Sequence, residues 1–160
     1  MRWSGLEKEA PELAALGRER LEAARLVMLG TIRADGSPRI SPVEPFLIEG
    51  HLLLGVMTRS AKARDLTRDP RCAVHSIVTA PNEGEGELKL YGRVEEVRDP
   101  ALRNASDEPW WVALGDDRAL VLSVDVERAA FVSWDLEGGL MTVRRWSPER
   151  GAAASTTPYP

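Results

Sequence analysis

Three prolines within one short run, Pro38-Arg-Ile-Ser-Pro-Val-Glu-Pro45, restrict this chain more than any other feature. The run follows a β-forming segment, residues 26–33 (LVMLGTIR), across the turn Ala34-Asp35-Gly36, where glycine can take the positive φ of a hairpin turn. Each proline removes a backbone donor, so a strand that carries several cannot lie inside a ladder. The return strand, 38–44, is therefore an edge, a bulge, or a place where the backbone faces a ligand.

The rest of the chain extends the pattern of short strands and tight turns. Residues 51–58, 71–79, 87–98, 120–126, 129–134 and 140–146 read as strands, with turns at Glu49-Gly50 and Gly138-Gly139. Alternation is cleanest over 87–98, where Leu88, Leu90 and Val94 share one face while Glu87, Lys89, Tyr91, Arg93 and Glu95 share the other. Residues 60–69 read as a short helix stopped by Pro70, and a further short helix is expected around 101–105. Over 4–24 the spacing of Leu6, Leu13, Leu16 and Leu21 predicts one or two helices outside the main sheet. Ser4 and Glu7 fit a capping box there, and Pro11 fits a first-turn position. The fold class is mainly β with peripheral α: a small antiparallel barrel with an N-terminal helical segment and one mid-sheet helix. At 160 residues the chain has the length of one domain. That domain spans 1–150, and residues 151–160 (GAAASTTPYP) have too little apolar mass to pack and are expected to be a disordered tail.

Charge and motif content remove several function classes. Net charge is −4 and no basic run exceeds Arg144-Arg145, so no nucleic-acid partner is expected. No apolar run approaches the roughly 20 residues of a membrane span. An N-terminus without the apolar stretch of a signal peptide, and a lone Cys72, point to the cytoplasm. Cys72 and His75 stand three apart on a strand and so on opposite faces; they cannot form a nucleophile–base dyad and read as packing residues. With His51 and His75 the only histidines, no metal site is expected. Glu83, Glu85 and Glu87 alternate with glycine but match no calcium loop, and read as a solvated hairpin tip.

One segment points to a ligand. Thr58-Arg-Ser-Ala-Lys-Ala-Arg64 lies where a strand ends and a helix begins, with Ser60 placed as N-cap. A helix N-terminus carries partial positive charge and favours acids in its first turn, yet Arg59, Lys62 and Arg64 surround this one and no acid precedes Asp65. Either an anion such as a phosphate sits on the free N–H groups, or the segment is a solvated basic turn. A second cluster, Trp134, Arg144, Arg145 and Trp146, reads as an exposed cation–π surface, a dimer contact, or part of a cofactor lid.

The succession G-T-I-R-A-D-G-S-P-R-I-S-P-V (30–43), L-L-L-G-V-M-T-R-S-A-K-A-R-D-L-T-R-D-P-R (52–71) and E-L-K-L-Y-G-R-V (87–94) resembles the pyridoxamine 5′-phosphate oxidase-like split-barrel family. The resemblance implies a split β-barrel of the FMN-binding type and a homodimer with FMN, or alternatively the deazaflavin F420, in clefts between the two chains. It implies that Ser41, Pro42 and Val43 lie along the isoalloxazine ring and that Val56, Met57 and Thr58 pass beneath the ribityl chain. Arg59, Ser60 and Lys62 would hold the phosphate, and Glu87 falls where the oxidase has a glutamine near the ring. Trp134, Arg144 and Arg145 would approach from the partner chain. Two departures bear on the substrate: Ala61 stands where the oxidase has an arginine before the corner lysine, and Phe46 where it has the lysine that touches substrate phosphate. The expected function is a flavin-dependent oxidoreductase acting on a small molecule other than pyridoxamine phosphate. The alternatives are an F420-dependent reductase and a non-catalytic carrier or sensor.

Overall fold

The computed structural model describes residues 1–80, 85–114 and 118–159. Two helices open the chain, α1 (Trp3–Glu9) and α2 (Pro11–Ala24), followed by β1 (Val27–Ile32), β2 (Pro38–Val43), β3 (Pro45–Ile48) and β4 (His51–Met57). Then come α3 (Ala61–Arg68), β5 (Arg71–Ser76), β6 (Glu87–Glu96), α4 (Pro100–Arg103) and α5 (Trp110–Leu114). Three strands close the described chain, β7 (Ala119–Asp135), β8 (Leu140–Ser147) and β9 (Gly151–Pro158).

All strand pairing is antiparallel, in the order β2-β1-β5-β6-β7-β4-β3, with β8 on β7 and β9 on β8. β2 ends this path, so its prolines sit on an edge, where a missing donor costs no ladder bond. Only Glu44 separates β2 from β3, although the two stand at opposite ends of the path. The sheet must therefore curl until its ends approach, leaving an unpaired seam between β2 and β4. Helix α3 packs against both β1 and β4 and so spans the seam. This is a split barrel.

One side of each strand but β9 faces the barrel core, which holds Val27, Leu29, Leu54, Val56, Val74, Leu88, Leu90, Val124 and Phe131. The N-terminal helices are not beside the sheet but close the barrel, with Trp3, Leu6, Leu13 and Leu21 buried in the same core. A second apolar cluster lies outside the barrel wall, where α5 lays Trp111 against Leu53, Ala119 and Val121. The Trp111 ring meets Phe46 of β3 edge-on at 5.0 Å.

Several sequence expectations need correction. Arg2, not Ser4, is the N-cap of α1, without a side-chain cap; the Ser4 N–H donates to the Gly50 carbonyl (2.9 Å). Glu7 is drawn away from a capping role by Trp3 Nε1 (3.0 Å) and Arg18 (2.5 Å). Residues 45–48, assigned to no element from sequence, form β3, because Pro45 stands at the strand's first position, where it is tolerated. The two strands expected over 120–134 are one, β7, with a register shift opposite Tyr91 and Gly92. The tail is not disordered: 151–158 forms β9, paired along its length with β8, because backbone ladder bonds order it without burying a side chain. Cys72 packs as expected, but His75 does not, its side chain being 42% exposed on the outer face of β5. Of the acidic hairpin tip, Glu83 lies outside the described residues; Glu85 accepts from the amides of Thr79 and Ala80 and pairs with Arg20.

Candidate functional site

Where β4 gives way to α3, Met57, Thr58 and Arg59 are exposed and Ser60 takes extended backbone geometry (φ −73°, ψ 157°) as N-cap. Its hydroxyl oxygen accepts the Ala63 N–H (3.2 Å) and its carbonyl accepts the Arg64 N–H (3.3 Å). The N–H groups of Ala61 and Lys62 precede the first intrahelical acceptor and remain available to a ligand. No acid lies in this first turn. Arg64 donates to the Arg59 carbonyl (3.1 Å), while neither Arg59 nor Lys62 forms an ion pair with a described residue. The helix end thus holds positive charge from three side chains and the backbone, with no ion pair to Arg59 or Lys62 from a described residue, a donor set that fits a phosphate monoester.

Behind the corner, Asp65 ties α3 to the far side of the seam. Its carboxylate is buried and accepts Arg39 Nε of β2 (2.6 Å) and the Thr31 hydroxyl of β1 (3.0 Å), with Arg68 near by (3.8 Å). Arg68 also donates to the Ile32 carbonyl. Hydrogen bonding from Arg39 holds the Asp65 carboxyl below the usual carboxylate range. The basic corner and the proline-marked edge are therefore held on the two sides of one seam.

The expected site residues fall into two groups. Ser41, Pro42 and Val43 line the seam on β2, and Val56, Met57, Thr58, Arg59, Ser60 and Lys62 line it from β4 and the corner. Within this group the Val43 and Val56 side chains belong to the barrel core, so only their backbone is free to meet a ligand. The second group sits on the outer face of β6–β8. Glu87 pairs there with Lys89 and with His75 Nε2 (3.3 Å), and Trp134 meets Tyr159 edge-on (6.4 Å). Arg145 donates to Ser155 (3.1 Å) on the same strand pair. Arg144 points to the other face and is engaged by Glu12 of α2 (2.7 Å). His75 and Asp65 were missed from sequence: the first looked like core and the second has its partners 26 and 34 residues away.

The larger hollows lie away from the corner. One of about 670 Å³ surrounds His51 and Ser123, and one of about 780 Å³ lies between α2 and β3. His51 Nδ1 is hydrogen-bonded to Ser123 Oγ (2.8 Å), and burial lowers its pKa. Among the described residues no cluster of metal ligands occurs, and no helix is long and apolar enough to cross a membrane.

The model of the family described as pyridoxamine 5′-phosphate oxidase matches residues 14–132, most of the barrel. The chain belongs to the pyridoxamine 5′-phosphate oxidase family. Among solved structures, this family member is similar to a pyridoxamine 5′-phosphate oxidase-related, FMN-binding protein from Nostoc punctiforme (TM-score 0.64, 14% identity, 92% of this chain and 97% of that one). It is also similar to a haem-binding protein from Mycobacterium smegmatis (TM-score 0.60, 18% identity, 91% and 88%). A third relative in fold is a haem storage protein from Vibrio cholerae (TM-score 0.59, 13% identity, 72% and 90%). No curated protein matches the sequence significantly. These three neighbours share the fold and differ in what they hold.

Proposed function

We propose that this chain is a homodimeric flavin-dependent oxidoreductase that binds FMN with the phosphate at the Ser60 corner and acts on a small molecule other than pyridoxamine phosphate. The observation that carries the reading is the positive charge of Arg59 and Lys62 at the start of α3, neither of them ion-paired with a described residue. In this reading Arg59, Lys62 and the Ala61 and Lys62 amides bind the phosphate. β2, an edge strand with free outward backbone groups, aligns the ring along Ser41, Pro42 and Val43. Glu87, Trp134 and Arg145 occupy the outer sheet face that a second copy would bring to the cleft. Bound flavin supplies hydride transfer, and the protein supplies orientation, charge and exclusion of water. A hollow of about 410 Å³, lined by Thr58, Ala63, Arg64, Thr67, Arg68 and Leu120, opens beside the corner.

Isothermal titration with FMN and riboflavin tests the reading. Lys62→Ala removes a charge-assisted contact of about 1.5–3 kcal/mol, so FMN binding weakens roughly 10- to 150-fold. Riboflavin, which lacks the phosphate, loses far less. Equal losses for both ligands, or none, remove the phosphate from this corner.

A second reading, haem carriage, is favoured by one observation: His75 presents its ring on the outer face, whereas His51 is 8% exposed. Hemin titration decides between them. Under this reading His75→Ala abolishes the spectral change of hemin binding; under the flavin reading it leaves FMN affinity at the corner intact.

A further inference from the structure

Apart from Val132 and Val143, which are buried, much of one face of the sheet is open among the described residues. A register line runs across it from Pro42 on β2 through His75 on β5 and Lys89 on β6 to Arg145 on β8 and Ala153 on β9, and none of these residues is buried. α5 covers only the part of the outer wall formed by β4 and the start of β7.

β9 extends this face and has a peculiarity of its own. All eight of its residues are exposed, on both sides, although the strand is paired with β8 from end to end. Its side chains from Ala152 to Thr157 are small and uncharged, and proline comes only at its last position. Edge strands left to water are ordinarily short, charged, bulged or interrupted by proline. A strand that buries no side chain also has little to offset the entropy lost on ordering it. β9 therefore has the composition of a covered strand without a cover among the described residues, and it lies beyond the residues 14–132 that match the family.

We propose that β9 is part of the surface on which a second copy of this chain docks, with Ala153, Ser155 and Thr157 in the interface. This rests on the homodimer of the proposed function and adds an element to it. A two-fold interface brings the same patch together from both copies, so the patch must tolerate itself. This one carries both signs, Glu87 and Glu95 beside Lys89, Arg93 and Arg145, and can meet its copy without like-charge repulsion. The side of β9 with Ala153, Ser155 and Thr157 continues the uncovered face; that with Ala152, Ala154 and Thr156 does not.

Two matched variants test it by sedimentation. Ala153→Glu and Ala154→Glu each place a carboxylate opposite an arginine in register, Arg145 and Arg144, so the β8–β9 pair gains the same kind of cross-strand contact in both. Wild type is expected to be a dimer. Ala153→Glu raises its dissociation constant about tenfold or more by burying an added charge, while Ala154→Glu leaves it within about twofold. Removal of residues 151–160 weakens the dimer as Ala153→Glu does. If wild type is a dimer and both substitutions, or neither, weaken it, or the truncation does not, β9 is not in the interface although the dimer stands. A monomeric wild type overturns the dimer and this inference together.

Discussion

Asp65 is buried at the seam, and its charge is held by Arg39, Thr31 and Arg68. Its pKa is lowered in the folded chain, first by the hydrogen bond from Arg39. A carboxyl so depressed adds stability at pH above the unfolded value of about 3.9, and that stability is lost as pH falls through the folded value. Asp65→Asn should therefore melt below wild type at neutral pH, with the gap closing in strong acid; a gap constant with pH would mean that the carboxylate charge contributes nothing. Cys72 is the opposite case, since burial raises its pKa to about 12. The reactive species is the thiolate, so Ellman's reagent should leave the folded chain unmodified at neutral pH and react on denaturation. Of these two, Cys72 was readable from sequence as a packing residue. Asp65 was not, because its role exists only once the barrel has curled.

Among the elements, β4 shows how a strand can be apolar on both sides. Leu52, Leu54 and Val56 face the barrel core, while Leu53 and Gly55 lie under the tryptophans of α5. A Cβ at Gly55 would come within 2.3 Å of the Trp111 ring. Gly55→Ala should cost about 1–3 kcal/mol in denaturant titrations through this overpacking. Gly92, at the register shift, has less room still, since a Cβ there meets the Asp125 carbonyl oxygen at 2.0 Å, and backbone cannot step aside as a ring can. Gly92→Ala should therefore be the more damaging of the two. Strands whose identity rests on local chemistry, the proline edge at 38–43 and the alternating 87–96, were legible in the sequence. β3 was not, being four residues long with proline first, and β9 was not, because the reading looked for burial and β9 is ordered by backbone pairing alone.

For the molecule as a whole, the uncovered sheet face sets the expected assembly. Homodimer interfaces of obligate type commonly bury more than about 2,000 Å². Light scattering at micromolar concentration should give about twice the 17.6 kDa chain mass; a monomer would overturn the proposed shared cleft. The split-barrel family was legible from three motif segments because the proline edge, the basic corner and the alternating strand occur in a fixed order. That Arg144, expected to approach from a partner chain, is engaged by Glu12 of its own α2 was not, since that contact exists only once the helix has docked. The order of the sheet also has a consequence in time. β4 is made early, yet its inner neighbour is β7, and Leu53 pairs with Ser123 only after some seventy intervening residues, roughly a quarter of a minute of synthesis at the slower end of ordinary rates, have left the ribosome. Until then an almost wholly apolar strand waits with one edge bare. A chain stopped after Leu114 would keep it so indefinitely, and should be recovered in inclusion bodies where the full chain is recovered in solution.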